Sequence, residues 1–482
     1  MRLYLLTVMA LAAGWTSLGQ DTPMVYYVSP AGTPEGDGSL DAPMDLATAL
    51  GPRSRARPGD TILLRGGTYP GAFSSTLAGV EGRPIVVRQY AGERATIDGN
   101  LTVRGAWTWY WGFDVGNSNP DRTKTRPSAV TVLGPNTKMI NLTVHDGGGG
   151  LEPWTPAVDA EVYGCIIYRN GWQGPAPDRG HGHGLYIQNE TGTKRILDNI
   201  LFNGYGYGIH AYTEGGSIKG MHFEGNIIFN SGKNARDEWR TSNILIGGQQ
   251  PAERIAVIGN CTYTPIEFNV SNSFGYASGP TNKDAVIRDN YFAGGGLGAI
   301  FFRWEKLSVI NNTYFANPYL FQILPPRDDA PYSYEVNGNT YIAPAYGAPM
   351  AFGAAAFTFA NWQRQTGYDR DSQWISNPNR RPAGVKVIAR PNQYEFGRVH
   401  LAVYNWDLQN AVSVDLQGLV EAGAAYEVRN VLDYFGPPVA TGVYTGQPVV
   451  LPMAGTDSGP EFNAFVLTSR RGSLPPRLRK TR

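Results

Sequence analysis

Three of the chain's six histidines fall within one short region. His181 and His183 lie in Arg179-Gly-His-Gly-His-Gly-Leu-Tyr186-Ile-Gln188, and His210 lies in Gly206-Tyr-Gly-Ile-His-Ala-Tyr212. Imidazole and phenol carry protons well near neutral pH, so general acid–base chemistry is the first expectation. If Leu185 and Ile187 pair with Ile209 and Ala211 as core residues of adjacent strands, side-chain alternation puts Tyr186 beside His210. Gln188 then falls beside Tyr212 on the same outer face. Leu245 follows His210 in the next strand, and Arg303 extends the Gln188–Tyr212 column.

Three chemistries fit these residues. In the first, neutral His210 takes the proton α to a uronate carboxylate, and Tyr186 or Tyr212 protonates the leaving oxygen. Arg179 or Arg240 neutralises the carboxylate and so acidifies that proton. In the second, paired carboxylates hydrolyse a glycosidic bond, with Glu152, Glu214, Asp237 and Glu238 as candidates. The third is a metal site made by His181, His183 and His210. Parity opposes it, because His181 and His183 share the parity of core residue Leu185 whereas His210 matches Tyr186. Only a bend at Gly182 or Gly184 would unite them. No cofactor is expected, and a structural calcium stays open.

The elements positioning these residues follow from a repeat. An Asn followed by β-formers recurs at Asn141, Asn199, Asn226, Asn260, Asn290, Asn312 and Asn339, with Cys165 filling the slot after the first. The spacings are 24, 34, 27, 34, 30, 22 and 27 residues. Helical repeats of fixed length would not vary so much, whereas coils of short parallel strands with variable loops would. Asn suits each turn, and stacked Asn side chains form a ladder. Residues 171–180 and 231–241 are long insertions on one side of these coils. With His181, His183, Gln188, Lys233, Arg236, Trp239 and Arg240 they build a groove for a carbohydrate chain, aromatics facing rings and cations facing carboxylates.

The same register decides the cysteines. Cys165 and Cys261 lie three coils apart, roughly 14 Å at the strand spacing, while a disulfide needs Cα atoms within about 7 Å. Two buried, unpaired thiols are expected.

Composition supports a turn-rich β protein, with 60 glycines and a formal net charge of +1. Arg2, the apolar residues 3–15 and Ser17-Leu18-Gly19 read as an export signal cleaved after Gly19. No later segment is apolar enough to span a bilayer. The basic tail, residues 469–482, reads as a disordered end rather than a nucleic-acid-binding arm.

Tyr26-Tyr27-Val28-Ser29-Pro30, a capped helix over residues 41–50, Pro58-Gly59-Asp60-Thr61 and Gly66-Gly67-Thr68-Tyr69 come next. Together they resemble the opening of secreted right-handed β-helix proteins of the pectate-lyase-like superfamily. The resemblance covers about the first 345 residues and implies the fold, while that superfamily hosts several chemistries. Gly182-His183-Gly184 is similar to the Gly-His-Gly of polygalacturonases, without their Asn-Thr-Asp, Asp-Asp or Arg-Ile-Lys companions. Residues 302–315 resemble the arginine coil of alginate and chondroitin lyases, but residues 273–278 lack the lysine that precedes it.

The expected fold is all-β: a right-handed parallel β-helix with an N-terminal capping helix, followed by a small C-terminal β-sandwich. The expected division is a signal peptide at 1–19, the solenoid at 24–345, a linker with a short helix at 346–384, and the sandwich at 385–468. The sandwich is expected to cap the solenoid's open end. The expected protein is a monomeric, exported polysaccharide lyase, free of nucleic acid and membrane. A glycoside hydrolase and a non-catalytic glycan-binding solenoid are the alternatives.

Overall fold

The computed structural model describes residues 22–236, 241–265, 270–328, 330–343, 347–376, 381–455 and 459–470. The signal segment, residues 237–240 (Asp237, Glu238, Trp239 and Arg240) and the tail from residue 471 lie outside them.

Each coil contributes a strand to each of three faces. One face is a 12-stranded parallel sheet running from Val25–Thr33 to Ser333–Asn337. A second runs from Asp114–Gly116 through Ile166–Tyr168 and Ile200–Phe202 to Gln373–Ser376. A third holds Leu151–Pro153, Leu185–Ile187, Ile209–Ala211 and Ile244–Ile246. This is the right-handed parallel β-helix that the repeat implied. Its inward columns are apolar because one coil alone cannot bury them. Leu151, Leu185, Ile209 and Ile244 stack in one such column, all fully buried.

The asparagine ladder is continuous from Asn199 to Asn339. Asn199 Nδ2 donates to Asn226 Oδ1 at 2.9 Å, and Asn226 Nδ2 to Asn260 Oδ1 at 2.8 Å. The chain continues through Asn290 and Asn312 to Asn339, which donates to buried Asp369. Cys165 starts the ladder, its N–H bonded to Asn199 Oδ1. Asn141 is a correction. Thr143 pairs with Ile166, so Leu142 occupies the ladder slot, and Asn141 bonds outward to Asn392 and Glu395. Cys165 and Cys261 are both buried and free.

The N-terminal helix is shorter than expected, Leu46–Leu50. Its cap is Asp45, whose carboxylate accepts the Thr48 N–H, and Leu46, Ala49 and Leu50 close that end of the core. At the other end the helix Phe359–Thr366 buries Trp362 against Phe321, Phe352 and Phe357. The strand Gln373–Ser376 still pairs with the solenoid strand Thr340–Ala343, within the stretch the sequence assigned to a linker.

A 5-stranded antiparallel sheet and a 2-stranded one form the C-terminal sandwich around their own core. The sandwich does not cap the open end, which Trp362 and its neighbours already close. It lies along the solenoid's flank. Ala402, Tyr404, Phe462, Ala464 and Val466 cover the outward side chains Ile166, Ile200, Phe202, Phe229 and Tyr263. The physical reason is the second face itself, whose outward positions are apolar over many coils and could not be left in water.

Candidate active site

On the third face the outward column reads Thr131, Glu152, Tyr186, His210, Leu245 and Ser273. The strand registers pair Thr131 with Glu152, Tyr186 with His210, His210 with Leu245 and Leu245 with Ser273, and the Leu151–Leu185 pair sets Glu152 beside Tyr186. The Tyr186 and His210 rings meet edge to face with centroids 5.2 Å apart. Gln188 donates to the Tyr212 carbonyl at 3.3 Å. Arg303, expected to extend that column, instead bonds the carbonyls of Tyr276, Ala277 and Gly279.

His210 is 8% exposed, stacked between Tyr207 (4.5 Å) and Tyr212 (4.8 Å). His183 stands 4.1 Å from it, ring to ring. Simple alternation put His183 on the core side, so this is a correction. His183 precedes its strand rather than belonging to it. Gly182 takes a φ of +78°, and a Cβ there would lie 1.9 Å from the Gly148 carbonyl oxygen. That left-handed turn swings His183 outward. Gly206 permits the same approach from the next coil, where a Cβ would meet His183 Nδ1 at 2.5 Å.

His183 Nδ1 accepts the Tyr207 backbone N–H at 3.1 Å, which assigns the neutral ring's proton to Nε2. Burial pushes its pKa down to about 3, with Arg179 and His181 adding like charge. Burial also drives His210 well below the ordinary imidazole value, helped by His183 and Arg179. Both rings are neutral at pH 7, and His210 Nδ1 has no hydrogen-bond partner among the described residues. Burial raises the Tyr186 and Tyr207 phenols, and burial with Glu214 and Tyr276 takes Tyr212 up to about 12. The phenols stay protonated.

The three histidines do not converge. His181 turns away, stacked on Trp172 at 4.0 Å, with Nε2 bonded to Asp178 Oδ1 at 2.8 Å. Arg236 also leaves its expected role as a groove cation. It clasps the 171–180 insertion through Gln173 Oε1 and the carbonyls of Gly174 and Asp178. Lys233 sits half-buried in a turn whose N–H bonds the Asn230 carbonyl. Arg179 is exposed, and its charge reaches His183, His210 and Tyr207.

Glu152 is half-buried, its carboxylate accepting from Ser128 at 2.7 Å, and burial raises its pKa. Glu214 is exposed. Tyr186 feels the charge of both.

Sequence reasoning missed four groups. Trp154 packs on Tyr186 at 5.1 Å, and Tyr276 meets Tyr212 edge-on at 5.3 Å. Tyr207 stacks on His210, and its signal was legible: Gly182-His-Gly-Leu and Gly206-Tyr-Gly-Ile are equivalent segments 24 residues apart. Lys194 is wholly buried beneath the face. Its ammonium joins the carbonyls of Trp154 and Gln188 and Asn189 Oδ1, holding together the ends of two site strands.

No family model matches the chain. A segment of 76 residues is 41% identical to the pectate lyase PEL9 of Emericella nidulans, covering 15% of this chain and 18% of that one. Another, of 81 residues, is 30% identical to the uncharacterised YwoF of Bacillus subtilis, covering 17% of each. The matches thus span under a fifth of these curated relatives. Among solved structures, pectate lyase Pel9A is similar at a TM-score of 0.42 and 17% identity, over 75% of this chain and 82% of that one. A mannuronic-acid-specific polysaccharide family 6 lyase from human gut microbiota gives 0.45 and 15%, over 73% and 87%. A lacto-N-biosidase from Eubacterium ramulus gives 0.45 and 14%, over 73% and 68%. Among the described residues no helix is long and apolar enough to cross a membrane.

Proposed function

We propose that this protein is a carbohydrate-active enzyme that cleaves an acidic polysaccharide by β-elimination outside the cell. The observation that carries this reading is the neutral imidazole pair, His183 and His210, set among protonated tyrosines on one outward face.

In this reading His210 removes the proton α to the uronate carboxylate. The C–H electron pair becomes the new ring double bond, the bond to the glycosidic oxygen breaks, and Tyr186 or Tyr212 gives that oxygen a proton. Arg179 faces the carboxylate and spreads the charge that builds on it. A bound uronate also favours the imidazolium that forms, which offsets the low basicity that burial imposes on His210. Arg240, the other carboxylate partner expected from the sequence, lies outside the described residues.

A second reading rests on Glu152 and Glu214, which both act on Tyr186. Glu152, with its raised pKa, would be the acid of a glycoside hydrolase and Glu214 its partner.

One assay separates the two. The protein is incubated with acidic and neutral polysaccharides while ultraviolet absorbance of unsaturated uronate and new reducing ends are followed together. Elimination raises both on an acidic glycan. Reducing ends alone would overturn the lyase reading in favour of Glu152 and Glu214, and no product from any glycan would leave a binding solenoid.

A further inference from the structure

The outward column of the second face changes character along the solenoid. It is apolar at Ile166, Ile200 and Ile227, where the sandwich covers it, but reads Asp114 and Thr143 in the two preceding coils. The facing sheet changes at the same place. On the strand Arg398–Asn405, Ala402 and Tyr404 pack on the solenoid, His400 bonds the Asp198 carbonyl, and Arg398 comes last. On Ala425–Asn430, Glu427 and Arg429 take the equivalent side. Where the apolar contact stops, a cleft of about 420 Å³ opens between the two units.

Its walls carry three guanidinium groups, Arg94, Arg398 and Arg429, and the partly exposed ring of Phe435. Two are compensated. Arg94 pairs with Asp114 and lies over the Phe435 ring, and Arg429 pairs with Glu427 at 2.9 Å. Arg398 differs. It is 7% exposed, its Nη2 donates to the Tyr434 hydroxyl at 3.2 Å, its nearest carboxylate is Glu395 at 3.8 Å, and its Nε has no hydrogen-bond partner among the described residues. A buried guanidinium so loosely paired is costly unless something completes it.

We infer that this junction cleft is a second binding site, in which Arg398 receives the carboxylate of an acidic sugar residue. A guanidinium fork matches a carboxylate. Thr143, Gln89 and the carboxylates of Glu93, Asp114, Glu395 and Glu427 around it offer partners for hydroxyl groups, and those four negative charges disfavour a multiply charged inorganic anion. The ligand is therefore a singly charged polyhydroxyl species. The choice of a uronate rests on the acidic-polysaccharide reading above, but the site lies away from the histidine face and needs no reaction to be observed.

The test is calorimetric titration of the full chain with uronic acid oligomers, with neutral oligomers and inorganic phosphate in parallel. The proteins are wild type, Arg398→Met, Arg429→Gln, Phe435→Ala and His210→Gln. The expected result is one binding event kept by His210→Gln and weakened at least tenfold in Arg398→Met, with smaller losses in the other two. If Arg398→Met does not fold, Arg429→Gln and Phe435→Ala decide, since both residues lie at the cleft's open side. Unchanged uronate binding in those folded variants, equal binding of phosphate or neutral oligomers, or no event beyond one lost in His210→Gln would each overturn the inference. Binding at the junction without turnover of any glycan would sink the lyase reading and leave this one standing.

Discussion

The rings of His183 and His210 stand 4.1 Å apart, although His183 precedes its strand and His210 lies within the next one. Their contact depends on the left-handed turn at Gly182 and on the stacking of two Gly-x-Gly segments in successive coils. It makes a pair of neutral imidazoles out of residues that strand alternation would have separated.

Replacing the base is the most direct check. His210→Gln keeps a side chain of similar length between Tyr207 and Tyr212 but cannot take the proton, so kcat should fall about 10²- to 10⁴-fold. The KM should change little. An unchanged kcat in a folded variant would exclude His210 as base.

The pH dependence follows from burial. Because His183 is held near 3 and His210 well below its ordinary value, kcat/KM, which reports the free enzyme, should show no histidine inflection near pH 6.5. Stability behaves differently. His183 and His400, both lowered to about 3 by burial, bind protons more readily when unfolded. Their contribution is complete above about pH 6.5 and is lost as pH falls toward 3. Thermal melts of wild type should therefore drop in that window, and His400→Gln should flatten the drop. A melting temperature independent of pH between 7 and 4 would contradict this burial.

The asparagine ladder sets a third expectation. Asn226 accepts from the Asn199 backbone and side chain, and donates to the Ile196 carbonyl and Asn260. Asn226→Ala strands several buried groups at once and should cost on the order of 3 kcal/mol, read from denaturant unfolding. Cys165→Asn should be tolerated instead. Its Sγ already sits 3.4 Å from the Met139 carbonyl, the acceptor a ladder amide would use there.

The flank contact gives a fourth. Tyr404 is fully buried, and its hydroxyl donates to the Thr262 carbonyl at 2.9 Å. Tyr404→Ala should destabilise the protein by about 3–5 kcal/mol, as loss of a large core aromatic does. A chain ending before Val385 should aggregate, because the flank at Ile200, Phe202, Phe229 and Tyr263 would face water. A soluble, monomeric truncation would show that the flank does not need its cover.

The sequence by itself determined the coils, the ladder from Asn199 to Asn339, the free cysteines and the Tyr186–His210 neighbourhood. These follow from local rules: alternation along a strand, Asn in a turn, and the fixed spacing of stacked coils. The tertiary structure decided the rest. His183 entered the site, and His181 left it for Trp172 and Asp178, because backbone turns outside the strands obey no alternation. Arg236 bound the insertion at 171–180 because that loop folds over its own neighbour. The sandwich chose the flank because complementarity between two distant surfaces, apolar at Tyr404 and Phe202 and charged at Arg398, is written in neither segment alone.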